Sequence, residues 1–185
     1  MSRISMTPPR TLTNRFVAWF AKRKFGRELG PATAAGHNRK VLMTTLKMEM
    51  GAAKWNANPS SLRLLAMMRT AATIECEWCM DFGYWLGVED GIAPDKIESV
   101  PNWRNADCYT PVERAVLEYA EAMTQTPPEV TDELNARLRE HLDDAQLVEI
   151  TATIALENFY GRNNHALGLA PEGFKESCAI PARKG

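Results

Sequence analysis

Apolar side chains recur at intervals of three and four along most of the chain, the spacing of helices that each turn one face inward. No stretch alternates at period two for long enough to make a convincing strand. Phe16, Val17, Phe20 and Ala21 form the first stripe, in a helix that Thr13 is expected to cap and that runs to about Phe25. Arg15, Lys22, Arg23, Lys24 and Arg27 make the helix cationic, which suits a membrane-surface or acidic-partner helix, but the spacing is that of an ordinary core-facing stripe, so this stripe is expected to face the core and leave a solvated basic face. Gly26, Gly30, Pro31 and Gly36 break the pattern. Asn38 then reads as the N-cap of a helix carrying Val41, Leu42, Thr45, Leu46 and Ala53. Asn58-Pro59-Ser60-Ser61 opens the next helical region. Leu64, Met67, Met68, Ala71, Ala72 and Ile74 are too apolar for a surface helix, so this region is expected to be the most buried. It either continues towards Leu86 as one helix or divides into two near Thr73 to Glu75.

Gly91, Pro94, Pro101 and Asn105 mark a short helix with loops. Thr110-Pro111-Val112-Glu113 combines a cap, a proline at the first helical position and the acidic partner of a capping box. Val112, Ala115, Val116, Tyr119, Ala120 and Met123 give that helix its stripe, and Pro127-Pro128 closes it. Thr131 opens a short helix with Leu134, Leu138 and Leu142. Asp143-Asp144-Ala145-Gln146 repeats the capping pattern ahead of Leu147, Ile150, Thr151, Ile154, Ala155 and Phe159, the expected buried face of the last long helix. Gly168 or Pro171 ends it. The whole reads as an all-α fold of about seven or eight helices.

The net charge of −1 gives no general attraction to nucleic acid. The 45% hydrophobic content never gathers into a run long enough to span a bilayer. The N-terminus lacks an apolar core followed by a small-residue cleavage site. We therefore expect a cytoplasmic protein with no membrane insertion and no nucleic-acid partner.

Candidate chemistry centres on Cys76 and Cys79, in Ile74-Glu75-Cys76-Glu77-Trp78-Cys79-Met80-Asp81-Phe82-Gly83. Residues three apart share a helix face, so the two thiols can meet and cycle between dithiol and disulfide. If a new helix starts beside them, Cys76 lies in its first turn, where the dipole favours a thiolate; a continuous helix withholds that help. Two other readings stand beside the redox one. The thiols can be apolar core, or half of a zinc site drawing on Cys108, Cys178 or a histidine, although no second Cys-x-x-Cys and no His-x-x-x-His is present.

Glu75 is the i−4 neighbour of Cys79 on a continuous helix and the first candidate acid or base. Asp81 is close in sequence but points elsewhere on a regular helix, and Glu77 is expected to be solvated. Of the three histidines, His141 sits among charges and is expected to be exposed. His165 follows Ile154, Asn158 and Gly161 or Arg162 on a stripe that turns from apolar to polar. That stripe either lines a cavity near the cysteines or emerges into solvent.

The apolar helix leading to Cys-Glu-Trp-Cys, the following Asp-Phe-Gly, Glu113-Arg114-Ala115-Val116-Leu117-Glu118-Tyr119-Ala120 and Leu147-Val148-Glu149-Ile150-Thr151 together resemble the carboxymuconolactone decarboxylase-like family. The resemblance is closest to its alkylhydroperoxidase D (AhpD-like) branch and covers residues 35–175. Residues 1–34 then form an arm and helix, and 176–185 a tail. The resemblance implies an AhpD-like orthogonal helical bundle assembled as a homo-oligomer, a trimer or hexamer. It implies that Cys79 attacks a peroxide and Cys76 resolves the sulfenic acid into a disulfide, with a thiol reductant regenerating the pair and no metal or organic cofactor.

The peroxidase members carry Glu-x11-Cys-x-x-Cys-x3-His, and here the glutamate position is Leu64, the histidine position is Gly83 and the middle position is Trp78. The cysteines carry over; the proton relay does not. Glu75, Asp81 or His165 is left to replace it. The expected function is a thiol–disulfide oxidoreductase acting on a small hydroperoxide or a disulfide. The alternatives are a non-catalytic helical protein that binds a small apolar ligand or partner, and a lyase or isomerase acting on a small carboxylated ring compound through acids and His165.

Overall fold

A computed structural model describes residues 2–179, so residues 180–185 of the expected tail lie outside the described residues. Among the described residues there are ten α-helices, a 3-10 turn and no strand. Seven helices are eight or more residues long. The other three have only five or six residues, less than two turns, and so leave no periodic trace in the sequence. The chain divides into two compact units: the part up to Trp55 with Ala166–Ala170, and Asn56–His165 with the segment from Pro171 on.

The smaller unit holds α1 (Leu12–Phe25), α2 (Gly30–Ala35) and α3 (Arg39–Ala52). Thr11, not Thr13, caps α1. Its extended backbone lets the hydroxyl accept from the Asn14 N–H at 3.2 Å. The expected inward stripe is also corrected: Phe16 and Phe20 are 63% and 50% exposed, and Ala21 is the buried residue of α1. The helix is turned by about one residue, so that Asn14, Val17, Ala18 and Ala21 face inward, and the Asn14 amide donates to the carbonyls of Pro9 and Gly36 at 2.8 and 3.0 Å. Asn38 caps α3 as its position predicts, accepting from the N–H groups of Lys40 and Val41.

The larger unit contains α4 (Ser60–Ile74), α5 (Glu77–Glu89), α6 (Pro94–Glu98), the 3-10 turn Val100–Asn105, α7 (Pro111–Thr124), α8 (Asp132–Arg139), most of α9 (Asp144–Leu167) and α10 (Phe174–Ala179). Helix α4 is buried on two sides. Leu62 and Ala66 join Val116, Ala120, Leu138, Ile150 and Ile154 in one core cluster. Leu64, Leu65 and Met68 join Ile97, Val100, Trp103 and Leu117 in another. The capping box at Thr110 and Glu113 forms as written in the sequence, and Asp143 and Gln146 exchange the same pair of bonds at the start of α9.

The buried face of α9 differs from the apolar expectation. Ala155 is exposed and Phe159 is 43% exposed, whereas Glu149, Thr153, Glu157 and Asn164 are buried beside Ile150 and Ile154. Hydrogen bonds allow this for Glu149, whose carboxylate accepts from the backbone N–H groups of Ala57 and Asn58, both at 2.8 Å, and from the Asn58 amide at 3.1 Å. Glu149 thus ties α9 to the loop that starts α4. Among the described residues no helix is long and apolar enough to cross a membrane.

Candidate functional site

The α4–α5 junction decides the question the sequence left open. Helix α4 stops at Ile74, Glu75 turns left-handed at φ 59° and ψ 38°, and Cys76 is the N-cap of α5. A non-glycine residue in this conformation carries a modest backbone cost. The turn places Cys76 at the cap and Cys79 three residues into the helix. The Cα atoms are 5.3 Å apart and the two sulfurs stand at bonding distance, closed as a disulfide. The Cys79 N–H also points at the Cys76 sulfur, at 3.3 Å. In the reduced pair, that N–H and the positive end of the α5 dipole stabilise negative charge as it develops on the Cys76 sulfur. Both residues are buried, at 2% and 7% exposure.

The face of α9 that meets the pair is Glu157, Gly161 and Asn164, spaced i, i+4, i+7. The Asn164 amide donates to the Cys79 sulfur at 3.4 Å. Gly161 leaves a gap: a Cβ placed there would lie 3.1 Å from Ile74 Cδ1, 3.6 Å from Glu157 Oε1 and 3.7 Å from Cys76 Cβ. The anticipated stripe through Asn158, Arg162 and His165 separates from this one. Asn158 and Arg162 bond Thr124 at the end of α7, at 3.0 and 2.9 Å. His165 is exposed, with its ring Nδ1 3.4 Å from the Glu75 carbonyl oxygen.

Glu75 is also exposed. Because the helix breaks at this residue, its i−4 relation to Cys79 does not exist. Asp81 is buried but engaged elsewhere. Its carboxylate accepts from the N–H groups of Glu172, Phe174 and Lys175 at 2.7, 3.2 and 2.8 Å. The Trp78 indole donates to Glu172 at 2.8 Å, and Phe82 and Trp85 pack on Phe174. The segment after Pro171 is thereby clasped to α5, the helix that carries the cysteines.

Sequence reasoning missed Asn164, Glu157 and Glu172. The only signal of Glu157 and Asn164 is Glu157-x-x-x-Gly161-x-x-Asn164, a polar stripe at core spacing, which counting apolar residues passes over; Glu172, in the segment after Pro171, has none. The two relay positions have become packing contacts. A Cβ on Gly83 would overlap the Met68 sulfur, and one on Gly87 would lie 2.7 Å from Leu64 Cδ2 and 2.5 Å from Ile97 Cδ1. Gly83 and Gly87, one turn apart, let α5 lie close against α4. Cys108 and Cys178 are free, and among the described residues no group of three or more His, Cys, Asp or Glu side chains is placed to hold a metal ion.

Residues 40–122 match the carboxymuconolactone decarboxylase family. The chain is 33% identical over 169 residues to the uncharacterized protein YnjA of Escherichia coli (strain K12), covering 90% of this chain and 91% of that one. The chain belongs to the carboxymuconolactone decarboxylase family. Its fold is similar to the alkylhydroperoxidase AhpD core of an uncharacterized peroxidase-related protein from Ralstonia eutropha JMP134, with a TM-score of 0.79, 19% identity and 97% of each chain covered. It is similar also to the debrominase Bmp8, with a TM-score of 0.81, 19% identity and coverage of 93% of this chain and 94% of that one. At these identities the likeness speaks for the fold. Within this carboxymuconolactone decarboxylase family member, the cysteine pair and the Glu157, Gly161 and Asn164 face of α9 lie together.

Proposed function

We propose that this protein is a cytoplasmic thiol–disulfide oxidoreductase of the AhpD-like kind, reducing a small hydroperoxide or a disulfide through Cys79 and Cys76. The observation that carries the reading is the pair itself: two buried sulfurs at bonding distance in the first turn of α5, each facing an N–H donor. With a hydroperoxide, the Cys79 thiolate attacks the terminal oxygen and the O–O bond breaks. The alkoxide leaves and takes a proton as the alcohol, and Cys79 becomes a sulfenic acid. Cys76 then attacks that sulfur, the S–O bond breaks, and hydroxide leaves as water on taking a proton. A thiol reductant returns two electrons and two protons to the disulfide. The reaction so written needs no metal or organic cofactor. A homo-oligomer, trimeric or hexameric, is the assembly that goes with this reading.

Replacement of each cysteine tests it. Cys79→Ser should abolish turnover of hydrogen peroxide or cumene hydroperoxide. Cys76→Ser should leave a sulfenic acid on Cys79 that dimedone captures, as read by mass spectrometry. Wild-type turnover in both variants would mean the pair is not the reactive centre.

A further inference from the structure

The resolving step needs a proton acceptor at Cys76, and none of the groups considered from the sequence supplies one. Leu64 and Gly83 are built into the α4–α5 contact, Asp81 holds the segment after Pro171, and the side chains of Glu75 and His165 are exposed. Helix α9 does bring a carboxyl group to this place. Glu157 is 6% exposed and stands on the face that carries Gly161 and Asn164. Gly161 has no side chain to separate the two helices. Glu157 Oε1 and the Cys76 β-carbon therefore approach one point, at 3.6 and 3.7 Å. Asn164, one turn further on, contacts the other sulfur. One helix face thus sets an amide against Cys79 and brings a buried carboxyl group into the neighbourhood of Cys76.

We infer that Glu157 is the proton shuttle of Cys76. As the Cys76 sulfur attacks the sulfenic sulfur of Cys79, the thiol proton passes to the Glu157 carboxylate, directly or through one water. The same proton then goes to the departing hydroxide, so water leaves and the carboxylate is restored. No oxidant or reductant is consumed beyond those of the reaction above. When a reductant thiol opens the disulfide at Cys79, the proton it gives up is taken by the Glu157 carboxylate and passed to the released Cys76 thiolate. This role rests on the proposed dithiol chemistry. It also gives Gly161 a purpose: a side chain there would crowd both the Glu157 carboxyl oxygen and the Cys76 side chain.

A two-step thiol titration isolates the closing reaction. On a Cys108→Ser, Cys178→Ser background, the reduced protein is mixed with dipyridyl disulfide and pyridinethione release is followed by absorbance. The first release reports attack by one cysteine, and the second reports closure by its partner. In Glu157→Gln the first release should keep its wild-type rate and the second should slow at least about tenfold. The rate of closure should then climb with pH by about tenfold per unit below the thiol pKa, while the wild-type profile stays flatter. A merely structural carboxyl would not move that profile.

Gly161→Ala keeps the charge and inserts a methyl group, and it should slow the second release alone. It decides the matter if the glutamine variant fails to fold. Closure at the wild-type rate and pH dependence in Glu157→Gln, or in Gly161→Ala where that variant must decide, overturns the inference. Thiols that react only on unfolding would overturn both it and the proposed function. Hydrogen peroxide run in parallel separates the two ideas. Slowed closure without peroxide consumption keeps the shuttle and removes peroxide as substrate. Peroxide consumption with unchanged closure does the reverse.

Discussion

Asn164 reaches the Cys79 sulfur from 85 residues further along the chain. An amide N–H aimed at sulfur favours the charged form of the thiol, and burial opposes it. At 7% exposure Cys79 has little water to stabilise a thiolate, so the amide adds to the help of the α5 N-terminus. Hydrogen bonds to charged groups contribute about 1.5–3 kcal/mol, and a pKa unit corresponds to about 1.4 kcal/mol. In a Cys76→Ser background, Asn164→Ala should therefore raise the Cys79 thiol pKa by at least about one unit. The rate of iodoacetamide alkylation against pH measures this; a superimposable profile would reduce Asn164 to a packing residue. Cys76 and Cys79 were legible because a Cys-x-x-Cys pair announces its own proximity. Asn164 was not, because asparagine near a helix end reads equally well as solvated, and only the rotation of α9 reveals which way it faces.

Helices are where the sequence speaks most clearly, through their caps. Asn38, Thr110, Thr131 and Asp143 each bond the first turn that follows, as their positions predict. The rotation of a helix is harder to read. Helix α1 turns Asn14 inward and leaves Phe16 and Phe20 exposed, and α9 buries carboxylates that pattern counting places outside. The break between α4 and α5 could not be settled beforehand because Glu75 has no special tolerance for the left-handed turn it adopts. The close approach of those two helices makes a sharp prediction. Gly83→Ala drives a methyl group into Met68 and should cost about 1–3 kcal/mol in urea denaturation. Gly51→Ala, in exposed α3 with nothing within 4 Å of the new carbon, should be neutral or gain about 0.5–1 kcal/mol. Equal effects at the two sites would contradict the tight α4–α5 contact.

At the scale of the molecule, the all-helical class and the family were legible from periodicity and from the Cys-Glu-Trp-Cys context. The division at Trp55 was not, since no run of linker residues marks it. The larger unit is held by buried carboxylates as well as by apolar clusters. For Glu149, burial pushes the carboxyl upward, but the N–H groups of Ala57 and Asn58, the Asn58 amide and Arg63 outweigh it and hold the group below its ordinary value. Glu113 and Glu121 are held low in the same sense, against burial, by Lys96 with Thr110 and by Arg104 with Trp103 and Arg69. A depressed folded value means the unfolded chain binds more protons. The stabilisation is complete above the unfolded carboxylate pKa, roughly 4.3, and drains away as pH falls through the lower folded values. Urea midpoints should therefore drop on acidification from neutral through this range. Glu149→Gln should start less stable at neutral pH and lose less on acidification. A parallel pair of curves would remove Glu149 from the acid response.

The glycines of α5 also bear on what this sequence can become. A histidine at position 83 must find room where Met68 already lies, and Leu64 occupies the glutamate position while packing against Gly87. Each single change towards the relay of the peroxidase members would be a core defect before it could be a catalytic gain. No single substitution installs that relay without repacking the α4–α5 contact.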